Sequence, residues 1–82
     1  MALYYFHLRD GEDILLDPDG RILEGAGAIA LCALVEARAL ISEETRSGRI
    51  RLNQRIDVED ADGVIVYSLP FSEAIEITGG KG

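Results

Sequence analysis

Only one stretch of this chain is long enough, and free enough of proline and turn residues, to form a helix of several turns. It runs from about Ala26 to Arg46, is rich in Ala, Leu and Glu, and closes at Ser47-Gly48, where Gly48 can take the left-handed conformation that ends helices. Its start is poorly signalled, because Gly25 and Gly27 offer no side-chain acceptor for the first free amides. Everything before and after is cut into short apolar or alternating runs by Asp-Gly, Asp-Pro and Pro. A single helix among short strands constrains an 82-residue chain to one small α+β domain, with the helix laid across one face of an antiparallel sheet.

The strands read as follows. Leu3 to Arg9 is dense in Tyr, Phe and Leu and turns at Asp10-Gly11, so that Ile14-Leu15-Leu16 returns beside it as a hairpin. Asp17-Pro18-Asp19-Gly20 has the residues of a type I turn, and the chain is expected to reverse there. After the helix, Arg55 to Glu59 alternates strictly, Ala61-Asp62-Gly63 turns, and Val64 to Leu69 is a β-branched run ended by Pro70. Phe71 to Ile77 is expected to be a short helix or an extended edge. The predicted order is β-β-α-β-β with a four-stranded antiparallel sheet, one domain over residues 1–77 and a flexible tail over 78–82.

The helix is apolar on too many sides for one sheet. At 100° per residue, Ala30, Ala33, Leu34, Ala37, Leu40 and Ile41 share an arc of about 120° and are predicted to face the sheet. Ala28, Leu31, Cys32, Val35 and Ala39 form a second apolar arc, which a second subunit is expected to cover, the alternative being the chain's own loops or terminal segment. Size scaling gives the same indication: apolar burial and ordering cost each come to about 120 kcal/mol for a chain this small. Leu31, Cys32, Val35 and Ala39 are therefore the predicted homodimer interface.

Charge and cysteine exclude several classes. Eight basic residues against fifteen acidic give a net charge of −7, which repels nucleic acid and anionic membrane. The basic residues are segregated: Arg46, Arg49, Arg51 and Arg55 fall in ten residues that contain no acid, a candidate site for an anion or an acidic partner. That stretch lacks the interleaved aromatics of a single-strand nucleic-acid surface. A lone Cys32 forbids an internal disulfide and fits a reducing cytoplasm, and no leader pattern or membrane-length apolar run stands out. Cytoplasmic localisation is expected, with no cofactor.

Residue spacing argues against both a metal site and a catalytic one. Asp60, Asp62 and Gly63 match positions three, five and six of a calcium loop, but Val58 and Leu69 stand where its end carboxylates belong, so turn chemistry explains the aspartates and no metal site is expected. His7, the only histidine, alternates with Tyr5 and Arg9 onto the sheet face opposite Tyr4, Phe6 and Leu8, beside Asp57 and Glu59. It lacks a nucleophile or metal partner at motif spacing, so no catalytic residue is assigned. On an open face its substitution is expected to cost about 1 kcal/mol or less.

Tyr4-Tyr5-Phe6-His7-Leu8-Arg9-Asp10-Gly11, Leu16-Asp17-Pro18-Asp19-Gly20, Arg46-Ser47-Gly48, Asp60 to Gly63 and Leu69-Pro70-Phe71 together resemble an uncharacterised family of short proteobacterial proteins, a domain of unknown function. The resemblance covers nearly the whole chain and implies no activity and no site to transfer. The helix departs from that family, being more apolar at Leu31, Cys32 and Val35. A second likeness, over residues 3–41 alone, is to the antitoxin half of a toxin–antitoxin pair, without its DNA-binding helix-turn-helix. The expected function is a non-enzymatic protein-interaction module acting as a homodimer, with room for an unidentified protein partner. The alternatives are an anion- or small-molecule-binding regulator using the Arg46 to Arg55 cluster and an antitoxin-like partner of a toxin.

Overall fold

In a computed structural model, residues 1–75 are described, and the sheet is organised around β1 (Ala2–Asp10). On one side β1 pairs antiparallel, from Tyr4 to Asp10, with the whole of β4 (Gln54–Asp60), in a register that sets Phe6 against Val58 and His7 against Asp57. β4 pairs in turn with β5 (Ile65–Pro70), which forms one edge. The other side of β1 is shared by two short strands, β2 (Asp13–Leu15) opposite Leu8 to Asp10 and β3 (Arg21–Leu23) opposite Ala2 to Tyr4. The fold is α+β, with one long helix and an antiparallel sheet, as expected. Among the described residues the strand count is five, not four.

The missed strand carries a second correction. Both β2 and β3 run antiparallel to β1, so the chain does not reverse at Asp17–Gly20. It leaves the edge of β1 after Leu15, makes a loop, and rejoins the same edge in the same direction at Arg21. The turn chemistry is present but serves the loop. Asp17 Oδ1 accepts the N–H groups of Asp19 (3.1 Å) and Gly20 (3.2 Å), while its Oδ2 accepts the Phe6 N–H at 3.1 Å. Phe6 lies in the gap between the two short strands, where this edge of β1 has no strand partner, and the carboxylate takes the place of one.

Helix α1 (Ala26–Thr45) crosses the face of the sheet that carries Phe6, Ile56, Val58 and Leu69. Gly25 caps it with no side-chain hydrogen bond, and Gly48 (φ 83°) follows its last turn, donating to the Thr45 carbonyl. Its buried residues are Ile29, Ala33, Ala37 and Ile41, spaced by four. Ile29 lies about 20° outside the predicted stripe, because the arc that meets the sheet is centred between Ala33 and Ala37 and so extends further from Leu34. Leu34 and Leu40 pack against the core from its flanks. Two alanines at the deepest positions let the backbone approach the sheet closely. The single 3₁₀ turn at Phe71–Glu73 then folds Phe71 and Ala74 under the helix, and Arg38 Nε fixes it by donating to the Ala74 carbonyl at 2.7 Å. Over Phe71–Glu73 the short-helix alternative is therefore the one adopted, and residues 76 and 77 of the expected segment lie outside the described residues. The predicted tail over 78–82 lies outside the described residues. Within them, no helix is long and apolar enough to cross a membrane.

Candidate functional site

The alternation of β1 places His7 on the sheet face away from the helix, as the residues predict, but that face is not open. His7 and Asp57, cross-strand partners in β1 and β4, are each only 5% exposed. The cover comes from the Asp17 loop, which donates its Asp17 N–H to His7 Nδ1 at 3.0 Å. A ring nitrogen that accepts a backbone N–H carries no proton, so the ring proton sits on Nε2 and is donated to Glu59 Oε1 at 2.7 Å. Both ring nitrogens are engaged. The open-face expectation is corrected accordingly: His7→Gln leaves at least one buried partner unmet and costs about 1–3 kcal/mol, measurable by urea unfolding. A long-range proton–nitrogen spectrum of the wild type is expected to show the Nε2-protonated tautomer; the opposite tautomer would mean that the Asp17 N–H does not bond to His7.

Beside His7 lies a second group. Asp57 Oδ1 accepts from Arg55 Nε (2.9 Å) on its own strand and from Ser68 Oγ (2.7 Å) on β5, while Arg9 Nε stands 3.8 Å from Oδ2. That Arg9 nitrogen is buried and has no hydrogen-bond partner. Burial works against the Asp57 charge, but the hydrogen bonds from Arg55 and Ser68 and the charges of Arg55 and Arg9 outweigh it and hold the carboxyl below its ordinary value. Asp17 behaves alike: burial is outweighed by the N–H groups of Phe6, Gly20 and Asp19 and by the charge of Arg21. The chemistry of this face is that of a paired hydrogen-bond network joining β1, β4, β5 and the loop. Among the described residues no group of three or more His, Cys, Asp or Glu is placed to hold a metal.

The predicted arginine cluster does not converge. Arg51 lies on the helix side, bound through Nε to Glu44 (2.8 Å) and through Nη1 to Asp10 (3.1 Å), and its hydrogen bond holds the Glu44 carboxyl below its ordinary value. Arg46 pairs loosely with Glu43 at 3.8 Å, Arg49 is exposed, and Arg55 belongs to the Asp57 group on the opposite face. Three of the four are thus taken by separate acids, and of these only Asp10 is distant in sequence.

The helix arc is different. Leu31 and Val35 are 62% and 59% exposed, and Ala39 is exposed between them and the last turns. Cys32 is only half-exposed and faces sideways, where its Sγ accepts from Arg21 Nη1 at 2.8 Å; the same guanidinium crosses the Phe6 ring and reaches Glu36 Oε1 at 2.7 Å. Three of the four predicted interface residues thus share one outward surface, with Cys32 on its rim. A cleft of about 200 Å³ opens beside the helix between Phe6, Leu8, Leu15, Leu16 and Leu40.

These features define a small α+β domain whose polar groups are mostly satisfied internally and whose outer surfaces carry aliphatic side chains. The chain matches, over residues 3–72, the family model described as a domain of unknown function, DUF6894, and it belongs to that family. No curated protein and no solved structure matches the chain.

Proposed function

We propose that this domain is a non-enzymatic protein-interaction module that works as a homodimer through the outer face of α1. One observation carries the reading: the helix turns Leu31 and Val35 to solvent while two of its four buried positions are alanines, Ala33 and Ala37. A helix that served only its own sheet would place its larger aliphatic residues inward, where each fully buried side chain stabilises by about 1.5–3 kcal/mol. Among the described residues nothing covers the outer arc. Its pattern is also self-complementary. Leu31, Val35 and Ala39 are spaced by four, so two antiparallel helices crossing at Val35 set Leu31 against the partner's Ala39, large against small, around a closed twofold. The engagement of both His7 nitrogens supports the non-enzymatic part of the reading.

The test is the oligomeric state. Wild-type protein at micromolar concentration is expected to scatter light as a dimer, and Val35→Glu, which puts two like charges in a desolvated seam, is expected to give folded monomers. A wild-type monomer under those conditions, or an undisturbed Val35→Glu dimer, would refute the interface.

A further inference from the structure

The sheet ends in two unlike edges. On the β1 side the outer strands are three residues each, Asp10, Glu12 and Asp13 crowd the hairpin, and the Asp17 carboxylate occupies the Phe6 N–H between them. Short strands, charges and a covering loop are how folded proteins keep other chains from adding to a sheet. Among the described residues β5 is neither short, charged nor covered by a loop; its pairing with β4 is interrupted by a bulge at Val66, and Pro70 ends it. It is six residues long, has β4 as its only strand neighbour among the described residues, and belongs to a run, Val64 to Leu69, without a charged side chain. Val64, Ile65 and Val66 are all exposed.

The direction of its backbone follows from one bond. The Phe6 N–H points to Asp17, away from β4, so Phe6 and Val58 face each other without exchanging hydrogen bonds. Period two then turns the main-chain groups of Ile56 and Val58 toward β5, in agreement with the Asp60 N–H donating to the Val64 carbonyl at 2.9 Å. Their partners Leu69 and Tyr67 bond inward, as Val64 does; the register shift between Val58 and Glu59 makes Val66 an extra residue in the pairing, so the N–H and C=O groups that face the open edge are those of Ser68 and Ile65. The edge is thus both apolar and supplied with unused donors and acceptors.

We propose that β5 takes an extended segment of another protein as a sixth strand, a segment with alternate apolar side chains and Lys or Arg at its ends. Charge selects this occupant over a second copy. Asp60 and Asp62 stand at one end of the edge and Glu73 at the other, while the cations near the second end are engaged, Arg55 by Asp57 and Arg38 by the Ala74 carbonyl. Antiparallel self-pairing would set the acidic tip of each copy toward the other's Glu73, whereas basic flanks meet acids at both ends. The proposal rests on the interaction-module reading but uses a surface separate from the helix arc, so each can fail alone.

The probe is a fluorescein-labelled peptide, Lys-Lys-Val-Thr-Val-Thr-Val-Lys-Lys, followed by anisotropy against the whole chain. Saturable binding is expected. It should weaken at least about tenfold when every residue between the lysines is N-methylated, when Glu replaces the flanking lysines, or when the protein carries Val66→Lys, while Val66→Thr keeps it. Thermal unfolding of both variants establishes that they are folded. No saturable binding, or equal binding by the methylated or the Glu-flanked peptide, would overturn the proposal. So would a wild-type dimer that Val66→Lys dissolves and Val35→Glu leaves intact, since the occupant would then be a second copy.

Discussion

Replacing Gly20 by alanine is expected to lower the stability of the domain by about 3 kcal/mol or more, against about 1 kcal/mol for the same change at Gly11. The two glycines have nearly the same backbone, φ 72° and 65°, so the left-handed conformation strains alanine about equally at both. Their surroundings differ. A Cβ on Gly11 meets nothing within 4 Å, whereas a Cβ on Gly20 sits 2.9 Å from Leu3 Cδ1, 3.0 Å from the Tyr4 carbonyl oxygen and 3.0 Å from Tyr5 Cε1. Leu3 can turn aside, but the Tyr4 carbonyl belongs to β1 and cannot. The loop must lift, and with it go the Gly20 N–H bond to Asp17 and the approach of Arg21 to Tyr4 that begins β3. Urea unfolding of the two single variants measures the difference directly. Equal losses would mean that the loop is not seated on β1.

How far the fold could be read from sequence depends on the range of the forces involved. The hairpin at Gly11, the helix and its end at Gly48, the two faces of β1 and the β4–β5 pair all rest on local periodicity and turn residues, and all are where those residues put them. β3 was not legible. Three residues are too few to show alternation, and its pairing depends on a loop that returns to the strand it left. The burial of His7 was hidden for the same reason. Its cover is Asp17, ten residues away in a segment that reads as a reversal, and only the tertiary fold shows that the Asp17 carboxylate and N–H both bond to β1. The exposed helix arc was legible because one amphipathic helix can present only one stripe to one sheet. The dispersal of the arginines was not, because Asp10, Glu44 and Asp57 come from three different elements.

Asp57 is where the outer face of the sheet is most vulnerable. Removing its carboxylate leaves Arg9 and Arg55, which stand directly opposite each other in the register of β1 and β4, without the anion between them, and leaves the Ser68 hydroxyl without its acceptor. Like charges in such a cross-strand pair repel, and a buried ion group broken on one side is costly, so Asp57→Ala is expected to lose about 3–4 kcal/mol near neutral pH. Asp57→Asn separates charge from shape, since it keeps the size of the side chain and one oxygen acceptor. Its deficit depends on pH with a definite sign. The carboxyl in the folded protein titrates below its ordinary value of 3.8, so the stability it contributes is complete above that value and disappears as the pH falls through the lower, folded one. The difference in unfolding free energy between wild type and Asp57→Asn should therefore be flat from neutral pH down to about pH 5 and close progressively below about pH 4. Asp17, shifted in the same direction, adds to the acid sensitivity of both proteins alike and cancels from the comparison. A gap that stays constant into strong acid would mean that the Asp57 charge does not stabilise the fold, and that Arg55 and Ser68 hold the three strands together by geometry alone.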